Sequence, residues 1–365
     1  MSASLRVLQT LDAVGGVWRY AMDLSRALRA HGVETVFLGF GPPPSPRQRA
    51  EAEATGTLDW ADAPLDWLAS GPADLAAVPD LLARAARRHG ADLLHLNLPS
   101  QAAGLATERP VLVVSHSCVT TWFRAAKGMA LPPGWEWQGD LNARGLGAAD
   151  LVVAPSRAHA DALLACYGPL PDLRIVPNAS DAPETRLPER PFALASGRWW
   201  DEGKDGATLD DAAALTDWPV RLLGSAQGPN GAAFALRHAR LDGELPHADA
   251  VAQMREAGVF VSPSLYEPFG LAVLEAARMG LPLVLSDIPT FRELWDGCAL
   301  FFAPRDADAL ASAVNRLAAD PALRLRLGQA AQVRSRRFTT VAQAGRMLAL
   351  YETLAGATLP AAAAR

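Results

Sequence analysis

Cysteine is scarce: Cys118, Cys166 and Cys298 are the only three in 365 residues. They are odd in number, far apart and free of close ligand spacing, which argues against a disulfide framework and a structural zinc site and fits a reducing cytosol. Long apolar runs are missing too. No stretch approaches the roughly 18 residues that a membrane-crossing helix needs, so membrane contact is expected to be peripheral, at the inner face and through the N-terminal half. Nor is there a basic excess, because 34 Lys and Arg against 39 Asp and Glu leave a formal charge of −5. Without a strong positive field, a dedicated nucleic-acid binder is not expected. The opening residues show no basic segment followed by an apolar stretch and a cleavage site, so export by that route is not expected either.

What the chain does have is apolar content, at 50% of residues, and enough length for two domains. Short apolar runs alternate with longer amphipathic stretches. Strands are predicted at 5–11, 34–39, 93–96, 111–115, 151–154 and 174–176, with helices at 18–30, 79–88, 141–148 and 157–165. That alternation is the signature of βαβ units and a parallel sheet. A proline-punctuated polar stretch, 177–191 with Pro177, Pro183, Pro188 and Pro191, marks a boundary. Beyond it the pattern resumes: strands at 192–196, 220–223, 259–262, 283–286 and 299–302, helices at 207–215, 249–256 and 271–279. The expected fold class is α/β, with two Rossmann-like doubly wound domains, 1–180 and 190–337, facing a shared cleft where open parallel sheets bind ligands. Helices at 306–318, 321–334 and 340–354 follow, the last expected to pack back on the first domain, and the final residues 359–365 are expected to fray.

One segment stands out. Residues 262–276 read Ser-Pro-Ser-Leu-Tyr-Glu-Pro-Phe-Gly-Leu-Ala-Val-Leu-Glu-Ala, a strand end, a loop and a helix start. Pro268 disfavours helix at Glu267, and Gly270 lets the backbone approach a ligand closely. The amides of Phe269, Gly270 and Leu271 are then unpaired donors at a helix N-terminus, suited to sugar hydroxyls or phosphate oxygens. Glu275 lies about one and a half turns inside that helix, and its side chain leans back toward the same ligand as Glu267. Surrounded by apolar neighbours, an unpartnered Glu275 would be costly. After the strand at 192–196 come Arg198 and, six residues on, Lys204. Arginine grips phosphate in a bidentate way and lysine acts as a point charge, so the pair can neutralise a diphosphate in place of a divalent metal. The one obvious Asp-x-Asp, Asp306 and Asp308, precedes an apolar-periodic helix and reads as an N-cap and first-turn acid, so no metal is expected.

These residues together resemble the retaining glycosyltransferases of family 4, whose signature is two glutamates separated by seven residues, matched by Glu267 and Glu275. The resemblance extends over Ser196-Gly197-Arg198, Lys204, the Gly15-Gly16 turn, His116, and Leu283 to Pro289 with Glu293, and so covers nearly the whole chain. It implies the GT-B fold and transfer of a sugar from a nucleotide-diphosphate donor to a hydroxyl acceptor (a glycan, a lipid-linked sugar or a small molecule), with retention and with no cofactor. It implies that Glu267 and the adjacent loop amides bind the donor sugar, that Glu275 binds the ribose, and that Gly15 and Gly16 face the donor phosphates and acceptor. His116, at a strand end, falls where a family histidine contacts the donor sugar. Main chain near Gly224 and around Gly243, Glu244 and Leu245 falls where the family reads the nucleobase. There, 224–231 departs from the commoner acidic form of the loop and leaves the base open.

Three further features bear on the acceptor. His95 and Asn97 end another strand at the same rim, and Trp122 and Trp135 lie in a tryptophan-rich stretch able to stack on sugar rings or rest at a membrane surface. Trp18, Arg26 and Arg29 are expected on the exposed face of the first helix, where a lipid-linked acceptor would approach. Competing readings are a phosphorylase, an epimerase and a non-catalytic nucleotide-sugar-binding protein. A phosphorylase requires a cofactor-bearing lysine and a much longer chain. A dinucleotide oxidoreductase fits poorly, because no complete Gly-x-Gly-x-x-Gly follows the opening strand.

Overall fold

The computed structural model describes residues 4–187 and 189–356; Pro188 and the segment 359–365 lie outside the described residues. Two compact units emerge, 4–179 with 340–356 and 180–339.

In the first unit the chain runs β1 (Leu5–Leu11), α1 (Gly16–Arg29), β2 (Val33–Gly39), α2 (Pro46–Thr55), β3 (Thr57–Trp60), α3 (Val78–His89), β4 (Leu93–Leu96), β5 (Val111–Val114), α4 (Val119–Trp122), α5 (Glu136–Ala148), β6 (Leu151–Ala154), α6 (Arg157–Tyr167) and β7 (Leu173–Ile175). All seven strands are parallel, in the order β3-β2-β1-β4-β5-β6-β7. Strands buried on both faces read as continuous apolar runs, and Val111–Val114 and Leu151–Ala154 do so. The order reverses direction between β1 and β4, and a parallel sheet opens its ligand crevice at that point, outside the strands' carboxyl ends.

The second unit contains β8 (Arg190–Ser196), α7 (Gly206–Ala213), β9 (Val220–Leu223), β10 (Arg240–Gly243), α8 (His247–Glu256), β11 (Ala257–Ser262), α9 (Leu271–Arg278), β12 (Leu283–Ser286), α10 (Pro289–Trp295), β13 (Ala299–Phe302), α11 (Ala307–Ala319) and α12 (Pro321–Ser335). Its parallel order is β10-β9-β8-β11-β12-β13, so its switch point lies between β8 and β11. Both units therefore have the expected doubly wound architecture. The last helix, α13 (Thr340–Ala355), belongs to the first unit, where Ala344, Met347 and Tyr351 join the core of Leu5, Tyr20, Leu24 and Leu93.

Several elements were not anticipated. Segment 46–60 forms α2 and β3, 240–243 forms an edge strand, and 289–295 forms α10 behind a proline at its first turn. Asp306 caps α11 by accepting from the Ala309 amide at 2.8 Å, with Asp308 in the first turn. Cys118, Cys166 and Cys298 are free thiols. Among the described residues, no helix is long and apolar enough to cross a membrane.

Candidate functional site

In the second unit the switch point brings five of the predicted residues, Arg198, Lys204, Glu267, Phe269 and Gly270, into the two loops that follow β8 and β11. After β8, Asp201 accepts from the Gly203 amide at 2.9 Å and shapes a tight turn at Glu202–Lys204. The Gly203 carbonyl then accepts the amides of Leu265 and Tyr266 at 2.9 and 3.3 Å, tying that turn to the loop after β11. This tie sets Lys204 Nζ 2.5 Å from Glu267 Oε2, with side-chain exposures of 18% and 16%. Arg198, at the start of the same loop, lies over the Trp200 ring, 5.4 Å from its centroid, and donates to Asp201 at 3.3 Å. Each cation of the loop thus answers a carboxylate of its own, Arg198 with Asp201 and Lys204 with Glu267.

The loop enters α9 through Gly270, whose φ of +92° is a conformation L side chains rarely adopt. Among the described residues, no protein acceptor takes the amides of Phe269 and Gly270. The Phe269 side chain is core, packed on Phe338 at 5.6 Å, and Leu271 is partly buried against the same cluster. The Glu275 residue is 7% exposed on α9, and its Oε1 meets His247 Nε2 at 2.8 Å. That partner was not anticipated. His247 opens α8 directly after Gly243-Glu244-Leu245-Pro246, so the residue holding Glu275 belongs to the segment read as base-binding. Gly243 has a φ of +82° and its carbonyl accepts from the Gly224 amide at 2.8 Å; Glu244 is exposed and Leu245 half-buried. The signal for His247 was its position, one polar ring at a helix start beside that segment.

In the first unit Gly15 caps α1 in an extended conformation with no side-chain cap, and Gly16 is exposed. Asp12 shapes the approach by accepting from the Val14 amide at 2.8 Å. His116 follows β5, half-buried, with Tyr20 edge-on to it at 4.3 Å. Its Nε2 is 3.0 Å from Asn97 Oδ1. Burial, helped by the neighbouring His95 and His159 rings, lowers its pKa to about 3, so it is neutral at physiological pH.

Three expectations need correction. His95 is fully buried, with Nδ1 on the Tyr351 hydroxyl at 2.6 Å and Nε2 on Asn97 Oδ1 at 3.1 Å, so it has no face for an acceptor. Asn97 is 2% exposed and its amide donates to the Thr10 carbonyl at 2.5 Å, which leaves it behind His116 and away from an acceptor. Trp18 is 6% exposed and its Nε1 donates to Glu51 at 3.0 Å; a large apolar ring at the buried face of an amphipathic helix belongs to the core. Arg26 and Arg29 are exposed. Trp122 and Trp135 flank Phe123 at 5.0 and 5.6 Å, in a partly exposed aromatic group beside Arg124 and Lys127.

Comparison with known proteins bears on the family and the fold. Residues 14–182 match the family model described as Glycosyltransferase Family 4, and residues 233–334 match Glycosyl transferases group 1. A glycogen synthase of Mycobacterium tuberculosis is 43% identical over 101 residues, 27% of this chain and 24% of its own length. The match therefore spans about a quarter of that relative. A phosphatidyl-myo-inositol mannosyltransferase of Mycobacterium leprae is 27% identical over 369 residues, 95% of each chain. The sucrose-phosphate synthase structure from Thermosynechococcus elongatus superposes with a TM-score of 0.80 at 21% identity, covering 97% of this chain and all of the other. With both units matched and a relative aligned along nearly its full length, the chain belongs to glycosyltransferase family 4.

Proposed function

We propose that the protein moves a sugar from a nucleoside-diphosphate sugar to a hydroxyl of a glycan, a lipid-linked sugar or a small molecule, in the cytosol, with retention of anomeric configuration and without a metal. The observation that carries this reading is the Lys204–Glu267 pair at 2.5 Å, with Arg198 on the loop of Lys204 and the open amides of Phe269 and Gly270 on the loop of Glu267. In the structure each charge of that pair answers the other. A bound sugar nucleotide gives Lys204 and Arg198 a diphosphate to neutralise and gives Glu267 a sugar hydroxyl to accept from. Charge grows on the diphosphate as the bond to the sugar breaks, so fixed cations there stabilise the transition state more than the ground state. Glu275, in contact with His247 at 2.8 Å, is the residue that accepts from the ribose in this reading.

In the reaction the carbon–oxygen bond between sugar and diphosphate breaks, the acceptor oxygen bonds to the same face of the anomeric carbon, and the acceptor's proton passes to the departing phosphate oxygen. No protein nucleophile is assigned. Trp122 and Trp135 are offered as an acceptor-binding surface, and membrane contact, where the acceptor is lipid-linked, as peripheral and through the first unit. Three relatives named for glycogen, a phosphoinositide and sucrose phosphate support a hydroxyl acceptor while leaving its class open.

The test is incubation with UDP-, GDP- and ADP-sugars, in the presence of a chelator, following release of the nucleoside diphosphate. Arg198→Ala and Lys204→Ala are each expected to lower kcat by roughly 10²–10³-fold, the usual loss for one charge-stabilising donor. Near-normal turnover in a folded Arg198→Ala protein sinks the scheme, and the anomeric proton coupling of the product decides retention. Binding of a sugar nucleotide with no turnover at all would instead identify a non-catalytic binding protein.

A further inference from the structure

Three side chains behind His116 fix which of its nitrogens carries the proton. Asn97 is held in one orientation, because its Nδ2 donates to the Thr10 carbonyl at 2.5 Å and its own amide N–H donates to Thr10 Oγ1 at 2.8 Å. Its Oδ1 therefore faces away from Thr10, and it lies 3.1 Å from His95 Nε2 and 3.0 Å from His116 Nε2. An amide oxygen can only accept, so both of those nitrogens must bear hydrogen. In the fully buried His95, a neutral ring with hydrogen on Nε2 has a lone pair on Nδ1, and Tyr351 on α13 donates into it at 2.6 Å. The Tyr20 hydroxyl, 3.4 Å from the same His95 Nε2, is then a second acceptor for its hydrogen, and this assignment satisfies all of these contacts.

We propose that Tyr351, His95 and Asn97 are positioning residues that lock His116 as the neutral tautomer with hydrogen on Nε2, so that His116 Nδ1 faces the bound sugar purely as a hydrogen-bond acceptor. This rests on the reading of His116 as a sugar contact. Its consequence is chemical: His116 takes a hydrogen bond from a sugar hydroxyl and supplies no proton to the leaving phosphate. His116 is thereby excluded as the source of the proton that leaves with the phosphate, which leaves the acceptor hydroxyl in that role. The titratable groups acting on the ring are His95 from β4, His159 from α6 and Tyr20 from α1, none of them a carboxylate that would favour the imidazolium.

The experiment is long-range proton–nitrogen NMR on histidine-labelled full-length protein at neutral pH, with kinetics on whichever UDP-, GDP- or ADP-sugar is turned over. Wild type is expected to show hydrogen on Nε2 of both His95 and His116, and a kcat/KM that is flat on the acid side of neutrality. Asn97→Asp places a carboxylate between the rings and draws a proton onto His116. Its kcat/KM is expected to fall about tenfold near pH 6.5, as expected for losing one hydrogen bond to a neutral ring, and to recover as the pH rises. Tyr351→Phe is expected to shift the His95 Nδ1 resonance and lower kcat/KM severalfold. A proton on Nδ1 of wild-type His116 overturns the proposal, as does an Asn97→Asp profile parallel to wild type, the result a merely structural Asn97 would give. Absence of turnover in wild type would instead sink the catalytic function, and the spectrum still decides the tautomer.

Discussion

Gly270 shows how much one residue can decide. At a φ of +92°, an added Cβ would lie 3.2 Å from Cε1 of the fully buried Phe291 and 3.3 Å from Cγ of Glu267. The phenyl ring has nowhere to go, so Glu267 must move. Gly270→Ala is expected to cost about 1–2 kcal/mol of stability from the left-handed backbone, and to raise the KM for the sugar nucleotide well beyond that loss, because Glu267 is displaced from Lys204. A fall in melting temperature with an unchanged KM would show that the loop does not hold the donor. At Glu275 the neutral isostere separates charge from shape. Glu275→Gln is expected to weaken nucleoside-diphosphate binding 10- to 100-fold, the range for a hydrogen bond to a charged group, with little change in kcat. Titration calorimetry with the diphosphate alone reads this, and unaltered affinity would place the ribose elsewhere.

At the scale of elements, the ends of β8 and β9 meet through two glycines. A Cβ on Gly224 would sit 2.0 Å from the Gly197 carbonyl oxygen, where neither backbone can yield. Gly224→Ala is expected to destabilise the second unit by roughly 2–4 kcal/mol, overpacking added to a disfavoured φ of +108°, and to displace Arg198 and Lys204, which follow Gly197. Circular-dichroism melting with donor kinetics checks both parts, and a variant as stable as wild type would mean that the contact relaxes freely. Sequence reading did well where burial imposes a period: strands such as Leu283–Ser286 and helices such as Val78–His89 alternate or run apolar because both faces or one stripe are covered. It failed where burial is slight. The α2 helix buries only Ala52, so no apolar stripe announced it, although Ser45 and Gln48 form a capping box around a proline at its first turn. Edge strand β10, Arg-Leu-Asp-Gly, has one neighbour and exposes Arg240 and Leu241, and α10 begins with the proline that reads as a stop. The same limit applies to the site. The spacing of Glu267 and Glu275 is local and visible, whereas His95 meeting Tyr351 across 256 positions is a property of packing.

Over the whole molecule, the seven histidines divide unevenly between the units, and this sets the response to acid. In the first unit burial lowers the pKa values of His95 and His116 to about 3 and that of His159 to about 4. All three are neutral in the folded and unfolded chain above pH 6.5. Below it, the unfolded chain binds three protons that the folded unit refuses, so stability is fully present above about pH 6.5 and is lost as pH falls toward 4. The slope for each ring approaches about 1.4 kcal/mol per pH unit, so three together remove about 4 kcal/mol per unit, a large fraction of an ordinary domain's 5–15 kcal/mol. Asp66, pushed up by burial, acts in the opposite sense, since it takes up a proton in the folded state earlier than in the unfolded one; it is one group against three. In the second unit the two histidines, His238 and His247, are exposed rather than buried. Acidification from pH 7 to 4.5 is therefore expected to unfold the first unit ahead of the second, splitting thermal denaturation into two steps. Hydrogen exchange at pH 5 should show protection lost first in 4–179 and α13. Earlier loss in 180–339, or a single step at every pH, would mean that the buried imidazoles do not govern acid stability.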